Sequence, residues 1–130
     1  MALEGKVKTI LVVDDEEDLV EALTVMLADE GYRVVSARNG RDALKRLHEE
    51  KPRLVLTDFV MPIADGCELV RGMREIEEFR STPVVMMSAS TTACAVAGSS
   101  RPLELAAFLP KPFRWEQLLE TVVGLIGSAS

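Results

Sequence analysis

The stretch LTDFVMP, residues 56–62, ends an apolar run on an aspartate, with a methionine and a proline shortly after it. The run itself, RLVLT at residues 53–57, is nearly continuous in apolar residues, which is typical of a parallel strand covered on both faces. Asp58 at its end has two interpretations, a side chain that closes a turn before Pro62 or a reactive group at the edge of a sheet. The rest of the chain has to decide between them.

Four more runs of this kind alternate with segments of helical period. The predicted strands are residues 9–13, 33–37, 53–57, 83–87 and 106–110. Apolar residues three and four positions apart predict helices around residues 19–27, 42–50, 69–76 and 118–126. Residues 88–105 are small and polar without such a stripe, so only a short or frayed helix is predicted near residues 92–97. The alternation predicts an α/β class, a three-layer (βα)5 doubly wound parallel sheet, and we expect the flavodoxin-like strand order 2-1-3-4-5.

Length and charge limit the possible functions. The 130 residues predict a single domain, with a core of about residues 7–127 and no output domain after it. The net charge of −6 argues against direct binding to nucleic acid or to an anionic membrane. No apolar run could span a bilayer and no signal peptide is evident, so a cytoplasmic location is expected. Cys67 and Cys94, far apart and without metal-binding spacing, are accordingly predicted to be reduced thiols.

Polar side chains stand where the predicted strands end. Asp14 and Asp15 follow the first strand, Asp58 the third, Ser88 the fourth and Lys111 the fifth. Ligands of doubly wound sheets bind beyond the carboxyl ends of the strands, where the strand order reverses. We therefore expect the three aspartates to lie together there, flanked by the serine and the lysine.

This set of side chains suits phosphoryl transfer onto a carboxylate. Clustered carboxylates repel one another unless some are protonated or a cation holds them, and Mg²⁺ prefers such oxygen ligands. Lys111 would offset charge on a phosphate oxygen, and Ser88 would donate a hydroxyl. Taken singly, each residue has an ordinary structural explanation, such as helix capping by Asp14 or Asp15. Their joint placement favours the chemical interpretation.

Four motifs in order, ILVVDDEEDL, LVLTDFVMPIADG, VVMMSAS and FLPKPF, resemble the receiver domain of two-component response regulators over nearly the whole chain. The resemblance implies that Asp58 accepts a phosphoryl group from a sensor histidine kinase or phosphotransfer protein. It also implies Mg²⁺ bound by Asp15, Asp58 and the backbone carbonyl of Val60, with Asp14 acting through a water. A cis peptide bond before Pro112 is expected as well.

The resemblance assigns further roles around the phosphoacceptor. Ser88 and Lys111 would contact the phosphoryl group, and Ser88 and Phe108 would form the switch that changes a protein-binding surface. Two positions depart from the pattern of fast receivers. Val60 and Ser90 offer no carboxylate or amide to position an attacking water, so we predict a long-lived phosphoryl group.

Several functional readings remain open. The chain is either a single-domain regulator that acts on a downstream protein partner or the receiver piece of a hybrid kinase or larger regulator. In both cases its only reactions would be self-phosphorylation and slow autodephosphorylation, so it is not predicted to be an enzyme. A Mg²⁺-dependent aspartate-nucleophile phosphohydrolase is a weaker alternative, because such enzymes usually carry a second aspartate where this chain has Val60. The third possible function is that of a receiver-like domain that binds a partner without phosphorylation.

Overall fold

The structure, a computed structural model, describes residues 7–59, 65–88 and 105–129. Its five strands form one parallel sheet in the order β2-β1-β3-β4-β5, which confirms the predicted order. The strands are β1 (Thr9–Val13), β2 (Arg33–Ala37), β3 (Leu54–Asp58), β4 (Val84–Ser88) and β5 (Ala107–Pro110). The sheet therefore reverses its order between β1 and β3, which places a crevice at their carboxyl ends.

Among the described residues, helices connect β1 to β2, β2 to β3 and β3 to β4, another follows β5, and together they cover both faces of the sheet. They are α1 (Glu17–Asp29), α2 (Gly40–Glu50), α3 (Gly66–Glu75) and α4 (Trp115–Ile126), with a 3₁₀ turn at Glu77–Phe79. The helix predicted near residues 92–97 lies outside the described residues. Ile76, which the periodicity assigned to the third helix, instead ends it in an extended conformation with φ −101° and ψ 117°.

Two apolar clusters, one on each face of the sheet, form the core. Leu11, Val13 and Val55 point to the face covered by α2 and α3. Ile10 and Val12 point to the opposite face, with residues of α1 and α4. Because both faces are covered, every residue of β1, β3 and β4 is buried, as the nearly continuous apolar runs predicted.

The starts of α2 and α3 are defined by local side-chain hydrogen bonds. Asn39 caps α2 by accepting a hydrogen bond from the backbone N–H of Asp42 at 2.8 Å. At α3, Asp65 and Glu68 form a capping box, each side chain accepting from the other residue's backbone N–H. Such caps stabilise helix starts by satisfying backbone donors that have no partner within the helix.

The prediction for the cysteines is wrong for Cys67, which is disulfide-bonded. The only other cysteine of the chain, Cys94, lies outside the described residues. Sequence spacing could not reveal this bond, because it depends on which segments the fold brings together. Within the described part of the chain, every helix is too short or too polar to cross a bilayer.

Candidate functional site

The carboxyl edge of the sheet carries the polar residues of the site. Asp14 directly follows β1, Asp58 is the last residue of β3 and Ser88 the last of β4. Lys111 follows β5, and its backbone N–H donates to the carbonyl of Ser88 at 2.8 Å. The Lys111–Pro112 peptide bond is cis, which confirms that expectation.

The Lys111 ammonium is the centre of the site. Its Nζ lies 3.0 Å from Asp14 Oδ2, 3.1 Å from Glu16 Oε1 and 3.4 Å from Asp58 Oδ2. The first two contacts are hydrogen bonds, and the third is a longer ion pair. A single cationic group therefore joins carboxylates at the ends of two different strands.

The two aspartates are buried and anchored in the same way. The Asp14 side chain is 0% exposed and that of Asp58 12%. Asp14 Oδ1 accepts from the backbone N–H of Glu16 at 2.9 Å, and Asp58 Oδ1 accepts from that of Phe59 at 2.8 Å. One oxygen of each carboxylate is thus fixed by the backbone, and the other faces Lys111.

Burial and charge shift two ionisation equilibria at the site. Burial, with a smaller contribution from the Asp14 carboxylate, raises the pKa of Asp58 above its ordinary value, although Lys111 and the Phe59 N–H oppose the rise. Burial lowers the pKa of Lys111, but hydrogen bonds to Asp14 and Glu16 and the nearby negative charges outweigh it, so the net pKa is raised. Lys111 is therefore fully charged at neutral pH.

The carboxylates are close enough to share a metal ion. Oxygens of Asp14, Glu16 and Asp58 all lie within 4.8 Å of one another, and the structure describes no other such acidic group. Hard oxygen donors of this kind suit Mg²⁺, so the residues present fit that ion. Asp15 is exposed beside the group and Val60 lies outside the described residues, so their roles as ligands stay predictions.

The switch residues occupy different environments. Ser88 is buried, 2% exposed, at the end of β4. Phe108 is half-buried on β5, where it pairs in register with Met86 and packs against the core cluster on the α2 and α3 face. Their roles in switching stay predictions.

Glu16 and Gly66 belong to the site but were not predicted from the sequence. Glu16 reaches Lys111 from the residue just before α1. Gly66, the first residue of α3, leaves room for the end of β3, since a Cβ atom there would lie 2.3 Å from the backbone oxygen of Asp58. The only signals were the third acidic residue of DDEE and the glycine that closes LVLTDFVMPIADG.

Solved structures share this fold over nearly their whole length. A chemotaxis response regulator of Vibrio cholerae is 27% identical, with a TM-score of 0.83, over 93% of this chain and 100% of that one. The receiver domain of a sensor histidine kinase from Pseudomonas aeruginosa PAO1, with a magnesium ion coordinated in its active-site cleft, is 25% identical, with a TM-score of 0.82, over 95% and 100%.

A response regulator protein from Thermotoga maritima in complex with Mg²⁺–BeF is 30% identical, with a TM-score of 0.79, over 92% of this chain and 99% of that one. The family model for the response regulator receiver domain matches residues 10–123. That match covers all five strands except Thr9 of β1, and it includes the site at their ends. The chain belongs to the response regulator receiver domain family.

Proposed function

We propose that this chain accepts a phosphoryl group on Asp58 from a sensor histidine kinase or a phosphotransfer protein, with Mg²⁺ as its cofactor. Receiver domains are generally signalling domains of two-component systems. The observation that carries the proposal is the position of the Lys111 ammonium at the carboxyl edge of the sheet. It lies 3.4 Å from Asp58 Oδ2 and 3.0 Å from Asp14 Oδ2. With such a donor, the location that we propose for the domain is the cytoplasm.

Each residue of the site has a separate role in the phosphoryl transfer. An oxygen of Asp58 forms the new P–O bond while the bond between phosphorus and the donor nitrogen breaks, and the donor keeps that electron pair. Lys111 offsets negative charge on the phosphoryl oxygens, and the Ser88 hydroxyl donates a hydrogen bond to one of them. Asp58, Asp15 and the carbonyl of Val60 would hold Mg²⁺, with Asp14 acting through a water, and the ion would supply further charge compensation.

The proposed output is a change in a protein-binding surface. The phosphoryl group adds negative charge at the ends of the strands, which draws Ser88 toward it and lets Phe108 turn into the space released. The altered surface then favours a downstream protein partner, whether the domain works alone or within a hybrid kinase. A phosphohydrolase remains the weaker alternative, because Val60 cannot act as a general acid.

The test is the intact mass of the protein after incubation with acetyl phosphate, with and without Mg²⁺. We expect wild type to gain a phosphoryl group of about 80 Da that depends on Mg²⁺. Asp58→Asn should gain none, while Asp29→Asn, an exposed aspartate at the end of α1, should behave as wild type. An adduct on Asp58→Asn, or no adduct on wild type even with a cognate kinase, would refute the proposal.

A further inference from the structure

We propose that Glu16 couples cation binding to the release of Lys111, an inference that rests on the proposed phosphoacceptor function. In the structure the Glu16 carboxylate lies 3.1 Å from the Lys111 ammonium and accepts a hydrogen bond from it. When a divalent cation binds, Glu16 turns to it, and the freed lysine becomes available to the phosphoryl group. Glu16 is a positioning residue in this scheme, since it acts through Lys111 and the cation.

The backbone of Glu16 is fixed while its side chain is free to move. Its N–H donates to Asp14 Oδ1 at 2.9 Å, and its carbonyl accepts from the N–H of Val20 at 3.0 Å in the first turn of α1. Glu16 precedes α1 as its cap residue, yet its side chain makes no capping hydrogen bond. The carboxylate therefore contacts Lys111 in the site and does not cap the helix.

Among the partners of Lys111, Glu16 is the one that can leave. The side chains of Asp14 and Asp58 are 0% and 12% exposed, whereas that of Glu16 is 64% exposed. Exposed ion pairs are weak because water competes for both charges. Exchange of this contact needs no movement of a buried group.

A cation and Lys111 would compete for the same oxygens. The carboxylate group of Asp14, Glu16 and Asp58 is only 4.8 Å across, and Lys111 Nζ lies 3.0–3.4 Å from an oxygen of each. The dication and the Lys111 ammonium are both positive, and at such short distances they repel each other strongly in a partly buried site. Occupation of the group by a dication therefore displaces Lys111, and Glu16 can follow the dication because its oxygen is already within reach.

The chain offers a matched control one residue further along. Glu17→Gln removes the same charge as Glu16→Gln, but Glu17 is 73% exposed and pairs with Arg38 instead of Lys111. Mg²⁺ affinity is measured by isothermal titration calorimetry without phosphodonor. In parallel, NMR follows the side-chain signals of Lys111 with and without Mg²⁺.

We expect Glu16→Gln to weaken Mg²⁺ binding about tenfold, since loss of a supporting contact at a metal site typically has an effect of that size. Glu17→Gln should change the affinity by less than about twofold. In wild type, Mg²⁺ should shift the Lys111 signals strongly. In Glu16→Gln these signals should already be displaced without metal and should respond less to it.

The inference is overturned if the two variants bind Mg²⁺ equally, or if Lys111 responds to Mg²⁺ alike in wild type and Glu16→Gln. Phosphorylation of wild type in the same preparations separates this failure from failure of the proposed function. A wild type that takes the phosphoryl group while Glu16→Gln matches Glu17→Gln refutes only the role of Glu16. A wild type that neither binds Mg²⁺ nor takes a phosphoryl group refutes both.

Discussion

The substitution Gly66→Ala tests how closely α3 supports the strand that carries the proposed phosphoacceptor, Asp58. A Cβ atom at Gly66 would lie 2.3 Å from the backbone oxygen of Asp58 and 3.1 Å from Cα of Phe59. Real Cβ contacts stay above 3.0 Å, so α3 and the end of β3 must separate by at least 0.7 Å, the difference between 3.0 and 2.3 Å. A backbone oxygen cannot turn aside as a flexible side chain can. Overpacking of this kind costs about 1–3 kcal/mol, so we expect a loss of about 2 kcal/mol in the free energy of unfolding.

The matched control is Gly72→Ala in the same helix. Among the described residues the new Cβ would meet only the two terminal methyl groups of Leu44 at 3.5 Å, an ordinary contact. Alanine is favoured over glycine within a helix by about 1 kcal/mol, so this variant should be as stable as wild type or slightly more stable. Urea denaturation followed by circular dichroism measures both, and the rate of phosphorylation by acetyl phosphate should fall for Gly66→Ala alone. Equal stability of the two variants would refute the reasoning.

Three further predictions follow from the site and its surroundings. Because the folded protein raises the pKa of Asp58, the carboxyl contributes stability below its ordinary pKa that is lost as the pH rises through the folded value. Metal-free Asp58→Asn should therefore be more stable than wild type at neutral pH in urea denaturation, with the difference shrinking toward pH 4, and a less stable variant would contradict this. The phosphoryl group should persist for well beyond seconds, because Val60 and Ser90 cannot position water; decay of the adduct mass over time measures it, and a lifetime of seconds would contradict it. Cys67 should resist alkylation in unfolded protein until a reductant is added, as read by mass spectrometry, and ready alkylation without reductant would contradict the disulfide.

The fold was predictable because each strand corresponds to an apolar run in the sequence. β1 and β2 begin and end where the apolar runs do. β3 and β4 each begin and end one residue later than predicted, and at their ends Asp58 and Ser88 still pair in the sheet, opposite Met87 and Pro110. A polar residue at the end of a run is read from sequence as a loop residue, although backbone pairing does not depend on the side chain.

The site was predictable only where the topology determines it. Parallel strands bring their ends to one edge, so Asp14 and Asp58 on adjacent strands had to be neighbours once the strand order was known, with Lys111 at the same edge. The contact of Glu16 with Lys111 depends on how far one side chain reaches from the start of α1, and no spacing encodes that. Gly66 is required by the close approach of two segments, which a single sequence does not show.

The balance of charge explains why Asp58 should need a cation before it can act. With Asp14, Glu16 and Asp58 ionised, three negative charges face one ammonium, which leaves an excess of two. A phosphoryl group would bring about 1.5–2 more negative charges, so without a cation this excess would repel the proposed phosphoryl donor. Burial, helped by the Asp14 carboxylate, raises the pKa of Asp58, which favours the protonated form that cannot attack phosphorus. A dication cancels the excess, so Mg²⁺ should both admit the phosphoryl group and lower the pKa of Asp58. Titration of the Asp58 carboxyl by NMR with and without Mg²⁺ tests this, and an unchanged pKa on saturation with the ion would contradict it.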